Sequence, residues 1–106
     1  NTTTGQEGCG EHKVLTADRQ LNSDAKVIYD LLKSESARLN FIAAQATWLV
    51  YRNADCKSQS DAYQGGTEQS VADVYCLVAD DSARRQNLKG FYTVLTQGLD
   101  HVPALP

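Results

Sequence analysis

The chain has 106 residues, of which 42% are hydrophobic, and its 10 basic and 13 acidic side chains give a formal net charge of -3. This length predicts one small domain with a single core and excludes a multidomain organisation. The apolar runs are far shorter than the ~20 residues that span a bilayer, and the basic residues do not cluster as they do in proteins that bind phosphate backbones. We therefore expect no transmembrane segment and no nucleic-acid partner, whereas the acidic balance permits a basic protein partner.

The two ends of the chain lack the periodicity of regular secondary structure. Residues 1–10 are polar and rich in Gly and Thr, and residues 98–106 contain a Gly and both prolines. Both segments are predicted to be flexible ends of a domain that spans residues 11–97. The sequence does not open with a charged and apolar leader. A signal peptide removed from upstream of Asn1 stays an alternative.

Apolar residues recur three times at helical spacing between these ends, and no alternating stretch is long enough for a strand. The predicted fold class is all-α, a small antiparallel bundle of about three helices. The first helix is expected over residues 15–34. Its inner stripe would contain Leu21, Ala25, Ile28 and Leu32, with Tyr29 beside it, and its solvated side would contain Asp18, Arg19, Asp24, Lys26 and Lys33.

The second helix is expected over residues 36–56 or slightly beyond. Its inner positions would be Leu39, Ile42, Ala46 and Leu49, and the small side chains of Ala43, Ala44 and Ala46 would allow close approach of a neighbouring helix. Because neither Gly nor Pro separates the first two helices, one long kinked helix remains an alternative.

Residues 57–67 are rich in polar and turn-forming residues and are predicted to form the main loop. Gly65 and Gly66 can adopt positive φ there, and Thr67 can cap the helix that follows. The third helix is expected to begin near Thr67, with Gly90 as a point of bending. Its inner side would carry Val71, Val74 or Tyr75, Val78, Leu88, Phe91 and Leu95.

The three cysteines are Cys9, Cys56 and Cys76, and the only histidines, His12 and His101, lie near opposite ends of the chain. This pattern does not match a zinc site, and we expect no metal and no cofactor. Cys56 and Cys76 enclose the main loop, which suits a disulfide between two antiparallel elements, although two buried free thiols remain an alternative. Three explanations stay open for Cys9: a partner upstream of Asn1, an intermolecular bond, or a free thiol.

Trp48, Arg52 and Cys56 lie four residues apart on the second helix, with Tyr51 on an adjoining face. They either form an exposed binding patch or a buried Trp stacked by Arg52, and the second interpretation is favoured. Asp80 and Asp81 precede Arg84 and Arg85, a spacing typical of ion pairs on a solvated helix face. No Ser-His-Asp or Cys-His arrangement is present, so no catalytic residue is assigned and the sequence predicts a protein without enzymatic activity.

The order and spacing of several short motifs resemble the LprI-type lysozyme-inhibitor domain family of bacterial envelope proteins. The resemblance covers about residues 9–88, and its positions are predicted to be mostly structural. They are Asp18, Leu21, Asn22, Ala44, Gln45, Trp48, Tyr51, Arg52, Cys56, Gly65, Gly66, Thr67, Cys76, Arg84 and Leu88.

The sequence departs from the family pattern at a few positions. Asn53 stands where the family usually has an Asp, which weakens the argument that a local pair of Arg and carboxylate fixes the loop. Ala25 replaces an aromatic residue of the first helix, and Asp81 replaces a Thr. The cysteine that would pair with Cys9 is expected a little upstream and is absent.

The resemblance implies a secreted, periplasmic or lipid-anchored helical protein with a Cys56–Cys76 disulfide, which binds and occludes a lysozyme without catalysis. The cleft of a lysozyme holds two carboxylates, so an inhibitor needs donors or a cation on a protruding loop. The candidate contacts are Lys57, Ser58, Ser60, Tyr63 and Gln64. An envelope structural or adaptor protein that binds another cell-envelope component is the alternative function.

Overall fold

The computed structural model describes the backbone of residues 2–106 and the side chains from Cys9 onward. Three α-helices follow one another along the chain: α1 is Thr2–Leu31, α2 is Glu35–Asp61 and α3 is Thr67–Leu95. The described residues contain no strand, so the all-α prediction with three helices is confirmed. None of the described helices is long and apolar enough to cross a membrane.

The first helix is longer at its amino end than predicted, because α1 begins at Thr2 rather than near Leu15. Residues 2–10, predicted as part of a flexible end, form its first turns, while Asn1 lies outside the described residues. Gly10 packs directly against α3, where a Cβ would lie 2.7 Å from Val74 Cγ2. Glycine has a low helix propensity. At Gly10, however, the absence of a side chain allows the close contact with α3.

Two separate helices, not one kinked helix, precede the main turn. The chain leaves α1 after Leu31, and Ser34 caps α2 in an extended conformation with φ of -109° and ψ of 149°. Its Oγ accepts a hydrogen bond of 3.1 Å from the backbone N–H of Ala37. This cap satisfies one of the unpaired donors of the first turn and marks the helix start without a Gly or Pro.

The connection between α2 and α3 is shorter than predicted. α2 continues beyond Cys56 to Asp61, and residues 62–66 alone form the turn. Gln64, Gly65 and Gly66 have φ of 48°, 92° and 82°, so the turn uses three consecutive left-handed residues. α3 begins at Thr67 as predicted, but Gly66 is its N-cap residue. Gly90 does not interrupt α3.

α3 is the helix that both other helices pack against. Between α2 and α3 the contacts Phe41–Phe91, Gln45–Arg84 and Cys56–Cys76 run in opposite chain directions. Between α1 and α3, Gly10 contacts Val74 and Asp24 contacts Arg85, in the same chain direction. The molecule is elongated, with extents of 52 × 22 × 18 Å.

The apolar core lies in the half of the molecule near the connection between α1 and α2. Its buried members are Leu21, Ile28, Leu32, Phe41 and Leu88, and Trp48, Tyr29, Tyr92 and Leu95 pack against it. The predicted burial of Leu21, Ile28 and Leu32 is confirmed. In the other half, the described contacts between helices include the ion pairs of Arg52, the disulfide and the packing of Gly10 on Val74.

The predicted inner face of α2 is wrong. Leu39 and Ile42 are 58% and 50% exposed, Leu49 is 42% exposed, and Ala46 is exposed. The buried residues of α2 are instead Phe41, Arg52, Cys56 and Ser60. The helix carries two stripes at helical spacing, and the one that faces α3 contains polar side chains whose partners lie on other helices.

Two further burial predictions also differ from the structure. On α3, Leu88 is buried, whereas Val71, Tyr75 and Phe91 are exposed and Val74, Val78 and Leu95 are half-buried. On α1, Asp24 is buried and Asp18 is half-buried, so neither lies on the solvated side. Both carboxylates accept hydrogen bonds from arginines of other helices, which explains their position.

The segment after α3 folds back along the bundle. The Tyr92 hydroxyl donates a hydrogen bond of 2.6 Å to the Pro103 carbonyl, and Arg85 Nη2 donates one of 3.5 Å to the Pro106 carbonyl. These contacts place the segment beside α3, away from the turn of residues 62–66.

Candidate functional site

The disulfide joins the last turns of α2 to the first turns of α3. Cys56 and Cys76 are bonded, with their Cα atoms 5.4 Å apart, so the predicted disulfide is confirmed. Cys9 is a free and exposed thiol. Because the bond lies between the turn and the rest of the bundle, it fixes the helical hairpin formed by α2, the turn and α3.

Two carboxylates flank the disulfide. Asp80 Oδ2 lies 3.6 Å from Cys56 Sγ and 3.8 Å from Cys76 Sγ, and Asp55 Oδ2 lies 3.7 Å from Cys76 Sγ. Disulfide sulfurs carry no proton, so these are packing contacts. Burial, and then the hydrogen bond and charge of Asp55, raise the pKa of Asp80 to about 6. Both sulfurs are bonded to each other, so this group of four residues offers no thiolate to a metal.

One helical turn before Cys56, Arg52 connects the three helices. Arg52 and the side chains that it contacts are called the Arg52 layer. Arg52 Nη1 donates to Asp18 Oδ1 of α1 at 2.9 Å and to Asp81 Oδ1 of α3 at 3.0 Å. Its Nε and Nη2 donate to Asn53 Oδ1 at 3.1 and 2.9 Å. The amide oxygen of Asn53 therefore performs the local contact that a carboxylate was expected to provide.

Trp48 is half-buried beneath Arg52. The guanidinium carbon lies 5.7 Å from the centre of the Trp48 ring, within the range of a cation–π contact. The predicted stacking of Arg52 on Trp48 is therefore present, although Trp48 is half-buried rather than buried, and only Tyr51 of the alternative patch is well exposed, at 59%. Trp48 thus covers one face of the Arg52 guanidinium.

Asp81 is the most buried of the charged side chains from Cys9 onward, with no exposed surface. It pairs with Arg52, so the prediction of a solvated surface pair with Arg85 is wrong. Burial and a hydrogen bond with Asp18 raise the pKa of Asp81 to about 7, although Arg52 opposes them. Its second oxygen, Oδ2, is buried without a hydrogen-bond partner among the described residues.

Arg84 and Arg85 also form contacts between helices. Arg84 Nε donates to Gln45 Oε1 of α2 at 2.7 Å, and burial lowers the pKa of Arg84. Arg85 Nε donates to Asp24 Oδ2 of α1 at 2.8 Å. The two neighbouring arginines thus connect α3 to both other helices, one to each.

The candidate contact residues lie around the turn but differ in availability. Lys57 and Ser58 are exposed on the last turns of α2, and Lys57 Nζ forms an exposed ion pair of 3.0 Å with Asp61. Ser60 is buried, and its hydroxyl donates to the Lys57 carbonyl. Tyr63 is 55% exposed, and Gln64 is exposed beside it at the tip.

The charge of the hairpin differs strongly from that of the whole chain. Residues 55–81 contain six acidic side chains and one basic side chain, Lys57, whereas residues 62–66 are uncharged. The exposed acidic members near the turn are Asp61 and Glu68. The arrangement presents a neutral tip with hydrogen-bond donors between acidic flanks.

A family model described as Lysozyme inhibitor LprI matches residues 1–88 of the chain. The chain belongs to this family. No curated protein and no solved structure matches it. The matched residues of this LprI domain include α1, α2, the turn and most of α3.

Most of the LprI motif positions take part in internal contacts. The Arg52 layer contains Asp18, Trp48 and Arg52. Arg84 donates a hydrogen bond to Gln45, and the core includes Leu21 and Leu88. Gly65 and Gly66 have positive φ in the turn, whereas Asn22 and Tyr51 are exposed.

Sequence reasoning missed the buried carboxylates Asp24 and Asp81. A usable signal was the position of Arg52 one turn before a disulfide cysteine, since an arginine held inside a bundle requires acceptors. The chain offered many acidic side chains for this role, and their positions along the sequence did not show which one faced Arg52.

Proposed function

We propose that the protein is a lysozyme inhibitor that acts without catalysis, by inserting the turn of residues 62–66 into the muramidase cleft. The observation that carries the proposal is membership of the LprI family over residues 1–88. A stable disulfide between Cys56 and Cys76 is typical of oxidising compartments. The proposed location is therefore secreted, periplasmic or at the cell envelope, where a lysozyme would be encountered.

Charge complementarity supports the hairpin as the contact. Lysozymes that attack bacterial walls are generally strongly basic, and opposite charges across an interface accelerate association and favour the correct partner. The acidic flanks would face this basic surface. The cleft itself holds two carboxylates, and the turn brings Tyr63 and Gln64, which donate hydrogen bonds, without adding a carboxylate of its own.

The anchoring of the helices on both sides of the turn supports the same assignment. The disulfide and the Arg52 layer hold α2 and α3 together, and a turn of five residues connects them. A loop that is already ordered loses less conformational entropy on binding. Ser60 is not included among the proposed contacts because its hydroxyl is occupied, which leaves Lys57, Ser58, Tyr63 and Gln64.

The test is lysis of a cell-wall suspension by a vertebrate-type lysozyme, with and without the oxidised protein, at low and physiological salt. We expect protection that rises with dose and weakens with salt. The double variant Lys57→Ala/Tyr63→Ala should weaken inhibition at least about tenfold, the loss of a modest binding hot spot.

A matched control is Lys26→Ala/Tyr51→Ala. Lys26 forms an exposed ion pair with Asp30, four residues later, as Lys57 does with Asp61, and Tyr51 is exposed to 59% against 55% for Tyr63. The control should inhibit like the unmodified protein. If both double variants inhibit to the same extent, the contact lies elsewhere on the molecule. If the unmodified protein gives no protection, lysozyme inhibition is contradicted and the envelope adaptor role is left.

A further inference from the structure

We propose that a second copy of the chain covers the exposed apolar face of α2, in an antiparallel helix pair centred on Ala46. This α2 face consists of Leu39, Ile42, Ala43, Ala46, Leu49 and Val50. Among the large side chains of this face, Val50 is the most exposed, at 71%, and Leu49 is the least exposed, at 42%. Large apolar side chains grouped on one helix face are typical of an interaction surface.

The α2 face has the spacing of a helix-pairing surface. Leu39, Ile42, Ala46 and Leu49 follow one another at alternating intervals of three and four residues, the pattern by which two helices interlock. No charged side chain lies between Arg38 and Arg52 in the sequence. The two arginines themselves donate to internal acceptors, Arg38 to the Leu32 carbonyl and Arg52 to Asp18 and Asp81.

The central part of the α2 face, from Ile42 to Val50, is complementary to itself, whereas Leu39 falls opposite the polar Asn53. In an antiparallel pair centred on Ala46, residues equally far from Ala46 on the two copies oppose each other. Ile42 of one copy then faces Val50 of the other, and Ala43 faces Leu49. The two Ala46 side chains meet at the centre, where their small size allows the helices to approach closely.

The charges at the ends of α2 select the antiparallel orientation. Glu35 lies eleven residues before Ala46 and Lys57 eleven residues after it, and eleven residues make about three turns, so both lie close to the same face. Each Glu35 would oppose the other copy's Lys57, whereas a parallel pair would place like charges together. Both residues are exposed, and the exposed pair of Lys57 with Asp61 is weak enough to be exchanged.

The area of the α2 face predicts a weak dimer. Covering these six side chains on both copies would remove on the order of 1,000 Å² of accessible surface, the lower limit of a specific interface. We therefore expect a dimer whose population depends on concentration. This proposal does not rest on lysozyme inhibition, because self-association is measured with the protein alone.

Sedimentation velocity from low micromolar to several hundred micromolar protein tests the dimer. The oxidised Cys9→Ser variant is used so that an intermolecular disulfide cannot contribute. We expect a monomer–dimer equilibrium that Ala46→Glu weakens at least about tenfold, since two like charges would meet at the centre. Asn40→Glu adds the same charge to another side of α2 and should leave the equilibrium unchanged, while circular dichroism checks that both variants are helical.

A charge exchange tests the orientation. Glu35→Lys and Lys57→Glu should each weaken the dimer, and the double variant should restore it, because the opposed charges are again of opposite sign. A protein that stays monomeric at every concentration, or a dimer insensitive to Ala46→Glu, would overturn the proposal. Failure of the double variant to restore association would overturn the antiparallel pairing centred on Ala46.

Discussion

Arg52 shows how a single side chain can connect three helices. Its guanidinium binds carboxylates of α1 and α3 and the neighbouring Asn53 of its own helix, while its side chain is only 11% exposed. The stacking of Arg52 on Trp48 could be predicted because both lie one turn apart on the same helix. The partnership with Asp81 could not, since it depends on how α2 and α3 align.

At pH 8, above the Asp81 pKa of about 7, replacing Arg52 by Met should lower the free energy of unfolding by about 3–5 kcal/mol, because Asp81 would lose the cation that stabilises its ionised form. Urea denaturation measures the loss. Adding Asp81→Asn to Arg52→Met should recover part of it, as the second substitution removes the unpaired charge. As a comparison, Lys26→Ala breaks an exposed pair with Asp30 and should cost no more than about 1 kcal/mol. Similar losses from Arg52→Met and Lys26→Ala would contradict the importance of the buried layer.

The raised pKa values of Asp80 and Asp81 predict how stability depends on pH. A carboxyl whose folded pKa is raised binds its proton more tightly in the folded state. Its contribution is complete below the ordinary pKa of 3.8 and is lost as pH rises through about 6 for Asp80 and about 7 for Asp81. We therefore expect a higher melting temperature at pH 5 than at pH 8.

The variant Asp80→Asn checks the source of this dependence. It keeps the size of the side chain beside the disulfide but cannot ionise, so the difference in melting temperature between pH 5 and pH 8 should shrink. Asp30→Asn, which removes an exposed carboxylate of α1, should leave that difference as it is. A wild-type protein that is more stable at pH 8 than at pH 5 would show that the ionised carboxyls are better stabilised than their burial indicates.

At the scale of the helices, the sequence predicted three helices but assigned the wrong face of α2 to the interior. The apolar stripe through Leu39 and Leu49 satisfied helical periodicity, yet the helix turns Phe41 and Cys56 toward α3. The disulfide and Arg52 decide this orientation, and their partners are distant in the sequence. Periodicity identifies a helix reliably, but two stripes on one helix leave its inner face undecided.

The disulfide should contribute strongly to the stability of the helical hairpin. Closing a loop with a sequence separation of 20 is worth on the order of 3 kcal/mol. Reduction should therefore lower the melting temperature by roughly 10 °C or more, while Cys9→Ser should not change it. Calorimetry with and without reductant measures the difference, and an unchanged melting curve would contradict a stabilising role. Without reductant, alkylation of the native protein should label Cys9 alone.

At the scale of the whole molecule, different interactions stabilise the two halves. Apolar packing around Ile28 and Leu88 holds the half near the first connection, and the Arg52 layer and the disulfide hold the half that carries the turn. The fold class, the start of α3 and the disulfide could be predicted from composition, turn residues and family resemblance. The concentration of acidic side chains around the turn is visible in the sequence of residues 55–81, whereas their burial and pairing depend on how α2 and α3 align.

The position of the disulfide has a consequence for proteolysis. The exposed turn of residues 62–66 lies inside the covalent ring closed by Cys56 and Cys76. A protease that cuts one peptide bond of the turn would open this ring but leave both fragments joined through sulfur. Cleavage would thus be invisible on a non-reducing gel, and the two helices would keep their shared contacts after the cut.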